Sequence, residues 1–340
     1  LGGADTIRLN YGGDVGLHVA TSMWAILKEL GGEYPEKLNE IPEQIRASWL
    51  GDKYIQGNAA YEDEPQDKAE IIHINKRIYA IHEENDHDSA FAHIYWTCRD
   101  WSYAYFAKLY RELQVHEFDQ YIPESSVTKL GVDTVLTQLD AGVFQRSDNA
   151  VVFEGEKYDL HTRVFITAEG LPTYETKDVG LSLTKWNEYR FDESIIITAN
   201  EQAQYMQVVI KAIEQFEPEP AQRTKHLTHG MVTMLDGEKM SSRKGNVLLA
   251  TDMLEAARVS GEKTGKAQQK DVVLAAIKYG LLKNRIGGDI AYNPEESVAM
   301  EGNSGPYLQY AHARARSIIA KSEKTPKLDA PYNFDEHERL

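Results

Sequence analysis

A single cysteine, Cys98, stands in the whole chain, which excludes an internal disulfide and any metal site built on paired cysteines. Its neighbours Tyr95, Trp96 and Trp101 read as the aromatic surface of a helix, with Cys98 packed among them. No run of about 18 apolar residues occurs, so no membrane-spanning helix is expected. The opening stretch, Leu1 to Asn10, lacks both the basic start and the apolar core of a secretory signal. The expectation is a soluble, cytoplasmic protein that engages no membrane. An excess of positive charge is missing too: the formal net charge is −16. Such a chain does not coat nucleic acid non-specifically, because phosphate binding needs a concentrated basic surface. Local basic stretches remain, one made by Arg223, Lys225, Lys239, Arg243 and Lys244, the other by Arg314, Arg316, Lys321, Lys324 and Lys327. The second is equally what a solvated surface would carry.

Several familiar fingerprints are also lacking. Gly261-Glu262-Lys263-Thr264-Gly265-Lys266 invites comparison with a P-loop, but the glycines are one residue too close and Ala267 stands where a hydroxyl must bind magnesium. Neither a Gly-x-Gly-x-x-Gly turn nor a Gly-x-Ser-x-Gly elbow occurs. The stretch His82 to Asp88 offers imidazoles and carboxylates in no metal-ligand spacing and is expected to be a solvated loop between helices.

What is present is a globular chain of 340 residues, 42% hydrophobic, long enough for one large domain or two ordinary ones. Ile7 to Asn10 reads as a strand, Tyr11 to Asp14 as a turn, and Val19, Met23, Ile26, Leu27 and Leu30 as one face of a helix, together half of a βα unit. From Gly31 to Gln114 the chain is charged and helical, with aromatics packed against neighbouring helices. After Phe118 the period shortens. Ala150 to Phe153 and Arg163 to Thr167 read as strands of a small β region, and the β-branched run Ser194 to Thr198 as a parallel strand buried on both faces. The helix after it carries Met206, Val209, Ile210, Ile213 and Phe216 on one face. Strand, polar turn and helix place side chains at the carboxyl edge of a parallel sheet, where α/β proteins bind ligands.

The stretch Gly237-Glu238-Lys239-Met240-Ser241-Ser242-Arg243-Lys244-Gly245 gathers three cations and two hydroxyls between glycines. Such a loop can wrap a polyphosphate and stabilise charge developing on it. A solvated basic turn would share this composition. The residue order decides between them: Lys-Met-Ser-Ser-Arg-Lys-Gly closely resembles the Lys-Met-Ser-Lys-Ser signature of class I aminoacyl-tRNA synthetases. Ser242 and Arg243 stand where that signature has its second lysine, a place where arginyl enzymes vary. The resemblance implies that Lys239, Ser241, Ser242, Arg243 and Lys244 hold the ATP phosphates during catalysis. It also implies that His229-Gly230-Met231 meets adenine.

Further stretches resemble the arginyl branch of that class. Tyr174-Glu175-Thr176-Lys177-Asp178 is similar to its Tyr-x-x-x-Asp, which implies that Tyr174 and Asp178 face the substrate's guanidinium. The chemistry agrees, since a planar fork of donors is best met by a carboxylate in bidentate contact. Phe118 to Ser125 resembles a strand ending in Gly-Glu-Ser, with Pro123 in the glycine's place, and implies Glu124 as a second carboxylate. Gln202, 24 residues after Asp178, matches a substrate-contacting glutamine. Taken singly, Tyr174 reads as core, Asp178 and Glu124 as element ends, and Gln202 as a helix start. Asn10 to Gly16 is similar to the family's Asn-x-x-Gly-Asp-x-Gly, whose glycines permit close backbone approach. Glu301 to Arg314 resembles the start of a helical anticodon-binding domain, which implies tRNA contacts by Tyr307, Gln309, Tyr310 and Arg314.

The resemblance implies an α/β fold: a Rossmann-like parallel-sheet catalytic domain with a helical and β insertion, and the start of a C-terminal α-helical bundle. Residues 1–30 and 166–260 would form the catalytic domain, 31–165 the insertion and connecting region, and 261–340 the stem-contact helices and the bundle's start. The activity implied is ATP-dependent conversion of L-arginine to arginyl-adenylate and transfer to tRNA(Arg). Magnesium would accompany ATP, no zinc would be bound, and the protein would be a monomer. The family's His-Ile-Gly-His signature does not occur in these residues, so the 340-residue chain by itself is expected to be inactive in adenylate formation. A shortened, non-catalytic relative binding tRNA or arginine is the alternative. A cysteinyl-type synthetase is disfavoured by the absence of zinc ligands and by the Tyr174/Asp178 pair.

Overall fold

The computed structural model describes residues 3–63, 65–234, 250–263, 270–299 and 301–322. In chain order these form β1 (Leu9–Gly12), α1 (Leu17–Leu30), α2 (Arg46–Asp63), α3 (Pro65–Glu83), α4 (Ala90–Glu112), β2 (Gln120–Pro123) and α5 (Glu124–Asp140). There follow β3 (Gln145–Ser147), β4 (Ala150–Phe153), β5 (Arg163–Ile166), α6 (Tyr174–Tyr189), β6 (Ser194–Ala199), α7 (Ala203–Glu214), α8 (Pro218–Gln222), β7 (Thr224–His229) and β8 (Val232–Met234). The chain continues through α9 (Ala250–Lys263), α10 (Lys270–Leu282), β9 (Ile290–Tyr292), α11 (Pro294–Ser297) and α12 (Gly305–Lys321). Two compact units result: Leu1–Leu248 with Arg285–Ala291, and Leu249–Asn284 with Tyr292–Leu340.

In the first unit β1 pairs in parallel with β2, Leu9 opposite Gln120 and Gly12 opposite Pro123. A parallel pair needs a long crossover, and α1 to α4 supply it. Helix α1 buries Ala20, Met23, Ile26 and Leu30 and stops at Gly31, whose φ of 74° suits a residue without Cβ. Its approach to α2 is unusually close: a Cβ on Gly57 would lie 1.9 Å from the carbonyl oxygen of Thr21. Ile71, Ile78, Phe91, Ile94 and Tyr95 of α3 and α4 join α1 in one apolar core, and Cys98 lies within it. Burial pushes the Cys98 thiol up to about 12, as expected of a packing cysteine.

The strands expected after Phe118 appear as β2, β4 and β5, and a helix the sequence did not show lies between β2 and β3. Residues 124–140 form α5, although Val127, Thr128, Val132, Thr134, Val135 and Thr137 favour strands. The buried positions Glu124, Val127, Gly131 and Val135 recur at helical spacing, and packing on α6 overrides the local preference. That packing is backbone on backbone: a Cβ on Gly131 would lie 2.1 Å from the Thr176 carbonyl oxygen, and one on Gly180 would lie 2.2 Å from that of Val127. Strands β3, β4 and β5 form the antiparallel sheet. Asp148 and Asn149, both at positive φ, make the tight turn between β3 and β4.

β6 pairs in parallel with β7 from Ser194–Thr224 to Ala199–His229. The expected parallel strand is there, but it is not buried on both faces: Ile195 and Ile197 are 53% and 67% exposed. Val209 and Ile213 of α7 share a core with Ile196 on the other face, whereas no described residue covers Ile195 and Ile197.

The second unit is helical. Asn293 and Ser304 cap α11 and α12 through their side chains, each followed by a proline in the first turn. Gly305 is required where α12 meets α10, because a Cβ there would lie 1.9 Å from the Ala275 carbonyl oxygen. Beyond Pro306 the described residues of α12 are exposed.

Candidate functional site

The turn between β1 and α1 organises one side of the site. Gly16 takes a φ of 104°, a conformation that other residues rarely adopt, and leaves the Asp14 carboxylate buried at the start of α5. Pro123 precedes that helix and offers no side-chain cap. Asp14 supplies one from a distance, accepting from the Ser125 backbone N–H at 2.9 Å and from its hydroxyl at 2.7 Å. Arg99 of α4 pairs with the same carboxylate at 3.2 Å, and the Tyr95 hydroxyl donates to the Asp14 carbonyl. Asp14 of the Asn10–Gly16 segment is thus a structural clamp, joining the turn to α4 and α5.

Glu124, the first residue of α5, is buried and forms an ion pair with the equally buried Lys177 of α6. The Gly131/Gly180 crossing makes this meeting possible by drawing the two helix starts together. The Lys177 ammonium also lies 4.3 Å from the centroid of the Tyr174 ring. The Tyr174 hydroxyl is 2.9 Å from His18 Nδ1 of α1, and their rings stack. Burial, and then Lys177, lower the His18 pKa. Burial raises that of Glu124 while Lys177 opposes it.

One residue beyond Lys177, the half-buried Asp178 accepts a hydrogen bond from the hydroxyl of Tyr205 in α7. Burial pushes the Asp178 carboxyl up to about 6, against the pull of the Tyr205 hydroxyl, Lys185 and Lys177. Lys185, buried and bonded to Ser194 Oγ at 2.8 Å, is itself brought down to about 8 by burial. Burial, and after it the charges of Asp178 and Glu124, raise the pKa of Tyr11.

Tyr174 and Asp178 stand one turn apart on α6, and Glu124 is tied to the same helix through Lys177. Gln202 directly precedes α7, one turn before Tyr205 on the same face. His229-Gly230-Met231 lies at the carboxyl end of β7, beside residues 285–291: a Cβ on Gly230 would lie 1.9 Å from the Gly288 carbonyl oxygen. Met231 N–H donates to Asp289 at 2.9 Å, and its carbonyl accepts from Ile290 N–H. Asn200, just after β6, donates to the Gly287 carbonyl at 2.8 Å, so this segment lies across the carboxyl ends of β6 and β7. Lys239, Ser241, Ser242, Arg243 and Lys244 lie outside the described residues. Arg223 and Lys225 of the first basic stretch sit near the amino end of β7, away from His229, and pair with Glu219, Asp192 and Glu193. In the second unit Tyr307, Gln309, Tyr310 and Arg314 are exposed on α12, with Gln309 donating to the Asp271 carbonyl and Arg314 to the Tyr310 hydroxyl.

Sequence reasoning missed Lys177, Tyr205 and His18. Lys177 adjoins Asp178 and Tyr205 stands three residues after Gln202, so both had a signal in proximity; His18 had none.

A family model described as tRNA synthetases class I (R), catalytic domain, matches residues 1–292. The arginine–tRNA ligase of Borreliella afzelii is 31% identical over 99% of this chain and 59% of its own length. That of Treponema denticola is 28% identical over 94% and 55%. Among solved structures, the arginyl-tRNA synthetase of Thermus thermophilus superposes with a TM-score of 0.68 at 20% identity, over 96% of this chain and 59% of that one. The Plasmodium falciparum enzyme gives 0.69 at 20%, over 94% and 53%. The chain thus spans a little over half the length of these relatives. With the mixed α/β fold and its parallel pairs matching these structures, and the family model covering residues 1–292, the chain belongs to the arginyl family of class I tRNA synthetases.

Proposed function

We propose that the protein serves arginine–tRNA ligation: L-arginine attacks ATP to give arginyl-adenylate and pyrophosphate, and the arginyl group passes to tRNA(Arg). The observation that carries this reading is the buried Lys177–Glu124 pair, which draws Glu124, 54 residues before Asp178 in sequence, to the start of α6, the helix that also carries Tyr174 and Asp178. Glu124 is neutralised by Lys177, which leaves Asp178 to receive the guanidinium by charge-assisted hydrogen bonds. Tyr174 flanks it, and Gln202 reaches the substrate from the start of α7. Lys239, Ser241, Ser242, Arg243 and Lys244 hold the phosphates of ATP, which enters with its Mg2+ as substrate, and His229-Gly230-Met231 lies against adenine. Holding carboxylate and α-phosphate in contact supplies most of the acceleration such a reaction needs. Tyr307, Gln309, Tyr310 and Arg314 provide the tRNA-facing surface.

Calorimetric titration with arginine and with citrulline, its neutral isostere, tests the pocket. Arginine is expected to bind at least about tenfold more tightly, the scale of a hydrogen bond to a charged group, and Asp178→Asn should erase the difference. Because ionised Asp178 is the binding form, affinity should rise with pH through about 6. Equal binding of the two ligands would refute the assignment. The 340-residue chain alone should not catalyse arginine-dependent ATP–pyrophosphate exchange; a longer form that carries the His-Ile-Gly-His signature should do so with arginine and tRNA present, and a different amino acid supporting it there would refute arginine.

A further inference from the structure

The bond between Tyr205 and Asp178 has a support of its own. Tyr205 is buried, and the Arg163 guanidinium of β5 lies 5.5 Å from its ring centroid. Arg163 is in turn paired at 3.2 Å with the buried Glu175. The antiparallel sheet thereby braces a phenol on α7, which bonds a carboxylate on α6. A guanidinium presents its donors in a plane, so a carboxylate that receives it must present both oxygens in that plane. A half-buried aspartate free to change rotamer would not hold that orientation. The Tyr205 hydroxyl occupies one lone pair of Oδ2, and no other described residue forms a hydrogen bond to this carboxylate.

On the reading that Asp178 receives arginine, we propose that Tyr205 is a positioning residue that fixes the Asp178 carboxylate for the guanidinium, braced by the Arg163–Glu175 pair. It acts through Asp178 and does not itself take part in the reaction. Asp178 is also faced by Lys177, Lys185 and Glu175 of α6, and shares its surroundings with Glu124 of α5 and Tyr11 of β1. The hydroxyl of Tyr205 favours the ionised carboxylate, so its removal must move the Asp178 titration upward.

The test uses the 340-residue chain, with arginine affinity followed from pH 5 to 8 and the Asp178 carboxyl titrated directly by carbon NMR. Tyr205→Phe is expected to weaken arginine about tenfold at neutral pH, to raise the Asp178 midpoint, and to move the acid limb of binding with it. Unchanged affinity with an unmoved midpoint overturns the proposal, and so does uniform weakening with an unmoved midpoint, which is the signature of lost packing. If Tyr205→Phe does not fold, fluorotyrosine at 205 keeps the shape and strengthens the donor. Its midpoint should then fall, and an unmoved one overturns the proposal. A midpoint that moves in a chain with no preference for arginine over citrulline overturns the arginine assignment instead, leaving Tyr205 as an orienter of Asp178 without that ligand.

Discussion

Substituting Lys177 by methionine keeps the side chain's length and deletes the ammonium that neutralises Glu124. Both partners are almost fully enclosed, at 2% and 6% exposure, so the variant leaves a carboxylate buried without its cation. Removing one member of a buried pair costs about 3–5 kcal/mol, against about 0–1 for an exposed pair such as Lys129–Asp133. For a unit of this size each kcal/mol moves the unfolding midpoint by about 2–4 °C, so Lys177→Met should lower it by roughly 6–20 °C. The effect carries a pH signature. Burial already raises the Glu124 pKa above its ordinary value, and Lys177 is what opposes that rise. Without Lys177 the folded state favours protonated Glu124 still more. The penalty is therefore full above the raised folded pKa and fades as pH falls through it toward the unfolded value. Thermal unfolding at pH 8 and pH 5 should show a large deficit at the first and a smaller one at the second. Pairing Lys177→Met with Glu124→Leu should recover most of the loss, since an apolar pair replaces an ionic one at little cost. A deficit below about 1 kcal/mol at pH 8, or one that does not change with pH, would refute the reasoning.

Gly180→Ala should destabilise the first unit by about 1–3 kcal/mol in urea unfolding, because its new Cβ would lie 2.2 Å from a backbone oxygen of α5. The same substitution should weaken arginine binding by parting the starts of α5 and α6, and a loss under about 0.5 kcal/mol would sink the account of that crossing. Cys98, buried and with its thiol up at about 12, should resist a thiol-specific reagent at pH 8 in the native protein and react stoichiometrically in denaturant. Immediate reaction of the folded chain would contradict its place in the core.

Features carried by short stretches of chain were legible before any coordinates. The apolar face of α1, the β-branched run of β6 and the Tyr174–Asp178 spacing each lie within a few turns or a single strand, where periodicity speaks directly. Helix α5 was not, because its β-branched residues argue locally for strand while Glu124, Val127, Gly131 and Val135 are selected by what lies across from them. Burial of β6 failed for a related reason: hydrophobicity shows that Ile195 and Ile197 can be buried, not that a described element covers them.

The sequence by itself determined the family and local elements such as α1, β6 and α7, since motif, period and turn residues are properties of neighbours along the chain. Tertiary structure alone decided which charges meet: Lys177 with Glu124 across 53 residues, Tyr205 with Asp178 across 27. The first pairing depends on two glycines that let the backbone of α5 rest against that of α6, and the burial of Lys177 and Glu124 follows from that distance.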